Sequence, residues 1–249
     1  MSVIIPGDRV PPNEVKTTIG PGFYRQPITD NVVPVSAGIL HDKTNKQGTN
    51  RLLYVDSSSK RYIPQVNDYV IGIVTGVIGE AYKVSLQDFS SSVSLSMMAF
   101  PNANKKNRPN LKNGQAVYAR VTKAMSEIES EIECMDPSGK EGGFGVLSET
   151  GLIFEVNLHY ARDLLFNHNS PILEKLASRC KFEIAIGING KIWIKCGEGL
   201  LDVVGEDQGE DTMIHDMKTT LAASRYIKNC AKSSPEDFDN QLKEAFKGL

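Results

Sequence analysis

Apolar residues fall in short, strand-spaced runs over the first 150 or so positions and in helix-spaced runs over much of the remainder. The densest stretch lies between Asp68 and Asp136. It opens on Val70-Ile71-Gly72-Ile73-Val74-Thr75-Gly76-Val77-Ile78-Gly79, an almost unbroken apolar run. Tyr82-Lys83-Val84-Ser85-Leu86 follows. In Val93-Ser94-Leu95-Ser96-Met97, apolar and hydroxyl residues alternate. After a polar loop come Ala116-Val117-Tyr118-Ala119-Arg120-Val121 and then Ile128 to Cys134. Short runs of this kind, bounded by Gly, Asn and Ser, mark strands. Five of them in succession predict a small closed Greek-key barrel of the oligonucleotide-binding (OB) type.

The segment before the barrel reads as a separate β-rich unit. Ile4-Ile5-Pro6-Gly7-Asp8 is a short strand closing in a turn, and Gly20-Pro21-Gly22-Phe23-Tyr24 is a turn entering another. Val32 to Val35 and Gly38 to His41 follow. A polar hairpin tip is expected from Asp42 to Arg51, with Leu52-Leu53-Tyr54-Val55 as the return strand. So small a unit buries too little apolar surface to stand alone, and is expected to pack on the barrel or on another protein. Ser57 to Pro64 is the linker, where Lys60 and Arg61 are either part of a basic surface or ordinary linker charges.

Beyond the barrel, Asp136 to Gly145 is rich in glycine. It lacks the Gly-x4-Gly-Lys-Ser/Thr spacing of a phosphate-binding loop, and reads as a turn-rich junction. Asn157 is placed to cap a helix with Leu158, Ala161 and Leu165 on one face. Ser170-Pro171 starts a second. Phe182, Ile184 and Ile186 alternate, as do Ile192 and Ile194, with Gly187-Ile188-Asn189-Gly190 between them. That is a hairpin signal, with Gly187 in the turn and Asn189 and Gly190 expected to supply its positive-φ residues. A helix is expected from about Thr212 to Ala231. Another begins at Ser234-Pro235 and carries Phe238, Leu242 and Phe246 on one face. The fold class is multidomain, mainly β and then α+β, divided into residues 1–62, 63–146 and 147–249.

Charge adds a direction. The chain has 28 Lys and Arg against 30 Asp and Glu, a net charge of -2, so a globally basic nucleic-acid binder is excluded. From Phe89 to Ser126, however, there is no acidic residue, while Lys105, Lys106, Arg108, Lys112, Arg120 and Lys123 all fall there. Such a patch on a barrel suits an RNA or DNA backbone; the plainer reading is a solvated loop. Lys105, Lys106 and Arg108 lie on an irregular loop rich in Asn and Pro, where cations reach successive phosphates without reading sequence. Cys196 to Met217 carries only acidic charge and would repel RNA.

Other chemistry is not called for. The four cysteines are widely spaced, with no Cys-x-x-Cys pair, so no metal site or cofactor is expected, and free thiols point to the cytosol or nucleus. No signal peptide or membrane span is expected. Carboxylates are dispersed, and His41, His159, His168 and His215 lack the context of a catalytic triad or a metalloprotease. No catalytic residue is assigned.

Together these stretches resemble a known family: the non-catalytic cap subunits of the eukaryotic RNA exosome that combine N-terminal, S1 and KH domains, in particular the fungal ribosomal RNA-processing protein forty group. The matching residues are Ile5-Pro6-Gly7-Asp8, Gly20-Pro21-Gly22, Lys60-Arg61-Tyr62-Ile63-Pro64 with Asp68-Tyr69-Val70-Ile71-Gly72, Tyr82 to Leu86, Met98-Ala99-Phe100-Pro101-Asn102, Lys105 to Pro109, and Gly187 to Trp193. The resemblance implies an S1 barrel and a KH-type domain. It also implies partners: single-stranded RNA, a ring of RNase-PH-like subunits and other cap subunits. The implied role is to guide RNA to a nuclease without cleaving it, in the nucleus, nucleolus and cytoplasm. RNA contacts would fall on Lys105, Lys106 and Arg108.

Two departures from the family pattern stand out. The aromatic platform that S1 domains present on their second and third strands is replaced by Tyr82-Lys83-Val84 and a serine-rich strand. Tyr82 and Phe89 remain as stacking candidates, though both are expected in the core. The Gly-x-x-Gly loop by which KH domains clamp nucleotides lies here between two apolar strands, which argues for a structural turn. The alternative functions are a free-standing S1/KH RNA-binding module and, by class, a hydrolytic ribonuclease.

Overall fold

The computed structural model describes residues 2–10, 16–45, 48–57, 60–104, 106–125, 127–167, 170–197 and 210–248. They form two units, Met1–Lys60 and Arg61–Leu249.

The first unit contains β1 (Ser2–Ile4), β2 (Lys16–Ile19), β3 (Phe23–Arg25), β4 (Val32–Pro34), β5 (Gly38–Thr44) and β6 (Asn50–Asp56). Four of them make one sheet in the order β1-β5-β6-β2, and β3 pairs with β4. Along β6, Arg51, Leu53 and Val55 alternate into the buried face. Arg51 is tolerated there because it forms a two-pronged pair with Asp42 on β5, Nε to Oδ1 at 2.8 Å and Nη2 to Oδ2 at 2.6 Å. The hydrogen bond from Arg51 holds the Asp42 carboxyl below its usual range. The expected tip from Asp42 to Arg51 is therefore too long: both ends are strand, because each charged residue satisfies the other. Strand β2 was not foreseen. It pairs in parallel with β6, Lys16 opposite Asn50 through Ile19 opposite Leu53, and local sequence carries no trace of so distant a partner.

The second unit begins with the barrel: β7 (Tyr69–Ile78), β8 (Ala81–Ser85), β9 (Val93–Ser96), β10 (Ala116–Lys123), β11 (Glu131–Glu133) and the short β12 (Gly145–Val146). Their order is β11-β9-β8-β7-β10-β12, and β11 also pairs with β10, which closes the barrel. Val70, Val74, Tyr82, Val84, Leu95, Val117, Val121 and Ile132 fill it. Ile71 points the other way, against Ala185 and Trp193. Strand β7 is thus covered on both faces, the condition under which a strand reads as a continuous apolar run.

The remainder is α+β: β13 (Leu152–Glu155), α1 (Leu158–Phe166), α2 (Pro171–Ala177), β14 (Phe182–Ile186), β15 (Lys191–Cys196), α3 (Glu210–Cys230) and α4 (Phe238–Ala245). The three strands are antiparallel in the order β13-β15-β14. Ile192, Ile194 and Cys196 face the helices, where they meet Leu164, Leu176, Ala223, Tyr226 and Ile227. Trp193, on the opposite face, meets the barrel. Asn157 takes the cap position of α1 without a side-chain hydrogen bond. Strand β13 was missed, since a short apolar run beside a glycine junction gives no period to read. Most of the acidic segment, residues 198–209, lies outside the described residues.

Candidate nucleic-acid interface

The basic loop connects β9 to β10. Its tip is a tight turn in which Asn104 and Asn107 exchange backbone hydrogen bonds at 3.0 and 3.1 Å. The Asn104 side chain fastens it, Oδ1 accepting from the amides of Lys106 (3.0 Å) and Asn107 (2.8 Å). An asparagine folding back on the next amides is the usual device for such a turn. It leaves Lys106 exposed. Lys105 lies outside the described residues. The base of the loop is pinned from the core: the buried Tyr82 hydroxyl donates to the Pro109 carbonyl and accepts from the Leu111 amide at 3.2 Å. Tyr82 is thus a core residue, as expected, and also supports the loop.

The remaining cations behave differently. Arg108 Nη2 reaches Glu80 at 3.1 Å. Arg120 is gripped by Glu133 and by Asn67 Oδ1 (2.6 Å), and its side chain is 12% exposed. Lys123 pairs with Glu131 at 2.9 Å but stays well exposed. The Nε atoms of Arg108 and Arg120 are buried without a hydrogen-bond partner among the described residues. Lys112 is exposed, and among the described residues neither it nor Lys106 has an ion-pair partner. A span without acids in sequence is therefore not without acids in space. Glu80, Glu131 and Glu133 lie outside that span and arrive from the β7–β8 turn and from β11. The register Arg120 opposite Glu133 and Lys123 opposite Glu131 becomes visible only once the barrel closes.

The outward positions of β8 and β9 are Ala81, Lys83, Ser85, Ser94 and Ser96. This is the strand face on which OB folds bind oligonucleotides, and it holds no aromatic ring; Lys83 is tied to Glu129. Phe89 overturns expectation. It is fully exposed, not core. Leu86 and Val93 on either side are buried, so the link between them must jut outward. Phe89 turns it with φ +59°, a strained value for a bulky residue.

The Gly187–Gly190 turn lies far from solvent. Asn189 is 3% exposed. Its amide nitrogen donates to the carbonyls of Ile71 (2.8 Å) and Leu86 (2.6 Å), and its oxygen accepts from the Ile71 amide (3.2 Å). Strand β8 stops pairing with β7 at Ser85 opposite Ile73; beyond that point the Asn189 carboxamide takes the place of a backbone partner. The Ile188 amide donates to the Tyr69 carbonyl (2.8 Å), and the Tyr118 hydroxyl to the Ile186 carbonyl (3.2 Å). Only Gly190 has positive φ, +84°. Asn189 does not, which corrects the expectation for it. The Gly190 amide bonds the Gly187 carbonyl at 3.0 Å. With negative φ at both central residues this is a type I turn followed by one left-handed glycine, the three-residue hairpin loop. A Cβ on Gly187 would come within 2.8 Å of the Ile71 amide nitrogen and 2.2 Å of Asn189 Oδ1. Lys191 beside the turn is buried, 3.8 Å from Glu155. The turn is thus buried, with its Asn189 side chain bonded to the barrel strands.

Among the described residues no group of three His, Cys, Asp or Glu is placed to hold a metal ion, and no helix is long and apolar enough to cross a membrane.

A closed OB barrel with a pinned basic loop, joined through a buried turn to an α+β domain, has the architecture of a multidomain nucleic-acid-binding protein. Comparison with known proteins makes this specific. Residues 62–145 match the S1 domain of exosome complex component RRP40, residues 17–61 the exosome complex exonuclease Rrp40 N-terminal domain, and residues 151–200 a KH domain. The chain is 48% identical over 249 residues to exosome complex component RRP40 of Saccharomyces cerevisiae, covering 99% of this chain and 96% of that one. It is 34% identical to exosome complex component RRP40 of Drosophila melanogaster over 96% of this chain and 93% of the relative. The chain belongs to the exosome complex component RRP40 family. A crystal structure of an exosome complex RNA-binding protein superposes with a TM-score of 0.51 over 74% of this chain and 94% of that chain, at 19% identity; this likeness speaks to the fold alone.

Proposed function

We propose that the chain is a non-catalytic cap subunit of the RNA exosome. It docks on the RNase-PH-like ring beside the other cap subunits and guides single-stranded RNA toward 3′-to-5′ degradation and processing. Its working divisions are residues 1–62, 63–146 and 147–249. The observation that carries the reading is the pinned basic loop on a barrel whose chain is 48% identical to an exosome component along nearly its whole length. RNA contact is assigned first to Lys105, Lys106 and Lys112. Arg108 and Lys123 contribute through partly shared charge, and Arg120 mainly supports the barrel. Gly187, Asn189 and Gly190 are structural. With no aromatic on the β8–β9 face, backbone electrostatics dominate and sequence preference is weak. A single loop neutralises few phosphates, so the isolated chain binds weakly and neighbouring subunits supply avidity. The protein works in the nucleus, including the nucleolus, and in the cytoplasm.

The test uses the assembled complex. Reversing Lys105, Lys106 and Arg108 to Glu together is expected to slow degradation of long single-stranded substrates while the particle still assembles. Unchanged degradation refutes the guiding role. Incubating the pure chain with labelled RNA and Mg²⁺ tests the nuclease alternative: shortening of the RNA that is lost on changing one carboxylate would establish it. Failure to recover ring subunits under native salt would favour the free-standing module.

A further inference from the structure

We propose that Glu129 is a specificity residue that keeps RNA off one side of the barrel. Its carboxylate cancels Lys83, the only charged residue among the five outward positions of β8 and β9, and so confines the strand to the basic loop. The inference rests on the RNA-guiding reading of that loop and adds the residue that closes the neighbouring face.

The barrel's own pairing puts the carboxylate there. Lys83 on β8 lies opposite Ser94 on β9, and Ser94 lies opposite Glu131 at the start of β11. One residue earlier the ladder is prolonged, as the Ser94 amide donates to the Ser130 carbonyl at 2.9 Å. Ile132 is buried in the barrel, so Glu131 and Glu133 on either side of it point outward. Glu129, Glu131 and Glu133 each take one cation of the barrel: Lys83, Lys123 and Arg120 in turn. The bonds of Glu131 and Glu133 run to β10. Only that of Glu129 runs the other way, past β9, to the strand face on which OB folds bind oligonucleotides.

The side chains of Lys83 and Glu129 are 26% and 38% exposed, so an RNA strand laid on this face meets both. What it meets carries no net charge. A phosphate approaching Lys83 competes with a carboxylate fixed beside it by the chain, and a lysine already neutralised by protein adds little counterion release. The face also lacks an aromatic ring on which a base could stack. Lys106 and Lys112 are the contrast, since neither has an ion-pair partner among the described residues. The two surfaces of one barrel thus differ in free positive charge, and Glu129 sets the difference. Glu129→Gln keeps the length of the side chain and removes only its charge.

The experiment titrates the full chain and its variants with a labelled single-stranded uridine homopolymer at several salt concentrations. Glu129→Gln should bind about threefold to tenfold more tightly at low salt. Its log–log salt slope should steepen by about 0.7, the mark of one added phosphate contact. Lys83→Gln alone should change neither quantity, and combined with Glu129→Gln it should return both to wild-type values. Photo-crosslinking should place adducts on the peptide containing Lys83 in Glu129→Gln and none there in the wild type. Wild-type affinity and slope in Glu129→Gln, or a gain that persists in the double variant, overturns the proposal. So does weaker binding by Lys83→Gln alone or a wild-type adduct at Lys83, and these two readings stand even if Glu129→Gln fails to fold. Lys106→Glu, measured alongside, tests the loop reading separately: affinity unchanged by it sinks that reading whatever Glu129→Gln does.

Discussion

Asn104 and Asn189 sit in turns of similar size and use the same functional group in opposite ways. Asn104 folds its oxygen onto the amides of its own turn, so the turn is self-sufficient and presents Lys106 to solvent. Asn189 leaves its own turn unaided and sends its carboxamide into the barrel, to Ile71 and Leu86. A turn that satisfies itself is free to meet a ligand. A turn whose side chain completes another domain's backbone is part of a joint. Both segments look like candidate ligand loops in sequence; the difference lies in where one amide group points.

The largest expected effect is on the joint. Asn189→Ala strands the Ile71 amide and two carbonyls in a buried site; at about 1–3 kcal/mol for each unsatisfied group, the loss should be about 3 kcal/mol or more. Urea unfolding followed by fluorescence reads it directly, because the single tryptophan, Trp193, is buried at the seam. Asn104→Ala, on an exposed turn, should move the midpoint little, within about 0.5 kcal/mol. Equal effects would erase the distinction.

The cations sharpen it further. Arg120→Ala leaves the half-buried Glu133 without its partner and should cost about 1–3 kcal/mol of stability, with RNA affinity nearly unchanged. Lys106→Glu should do the reverse: stability within about 0.5 kcal/mol, weaker RNA binding, and a salt dependence shallower by about 0.7 in log–log slope. Titrations at several salt concentrations, paired with denaturation curves, separate the two. Tyr82→Phe removes the pin beneath the loop and should cost about 1 kcal/mol, with faster amide hydrogen exchange at Leu111 as its specific sign. The smallest effect is expected at Phe89. Replacement by Gly relieves a left-handed strain of about 1–2 kcal/mol but loosens the unfolded chain by about 0.4–1 kcal/mol, so the net stabilisation should be about 1 kcal/mol or less.

What could be read from sequence was whatever a strand or helix writes in its own period. The barrel strands, α1, α2, the β14–β15 hairpin and α4 all show one apolar face. Strand β7 shows two, because Trp193 covers the side that Val70 and Val74 do not. Features fixed by a distant partner were not legible. Strand β2 depends on β6, and the partly neutralised charges of Arg108, Arg120 and Lys123 depend on Glu80, Glu133 and Glu131. Asn-Gly between alternating apolar residues did signal a hairpin, but the choice among loop types rests on the bonds Asn189 makes across the seam. For Phe89, aromatic character suggested burial, and the backbone turn overrode it.

Photo-crosslinking of single-stranded RNA to the full-length chain, with the attached peptides mapped by mass spectrometry, tests most directly which of the two turns meets RNA. Adducts are expected within residues 104–112, weakening as salt rises, with none on the peptide spanning Gly187–Lys191. Adducts concentrated on the Gly187–Lys191 peptide and absent from the basic loop would contradict the account.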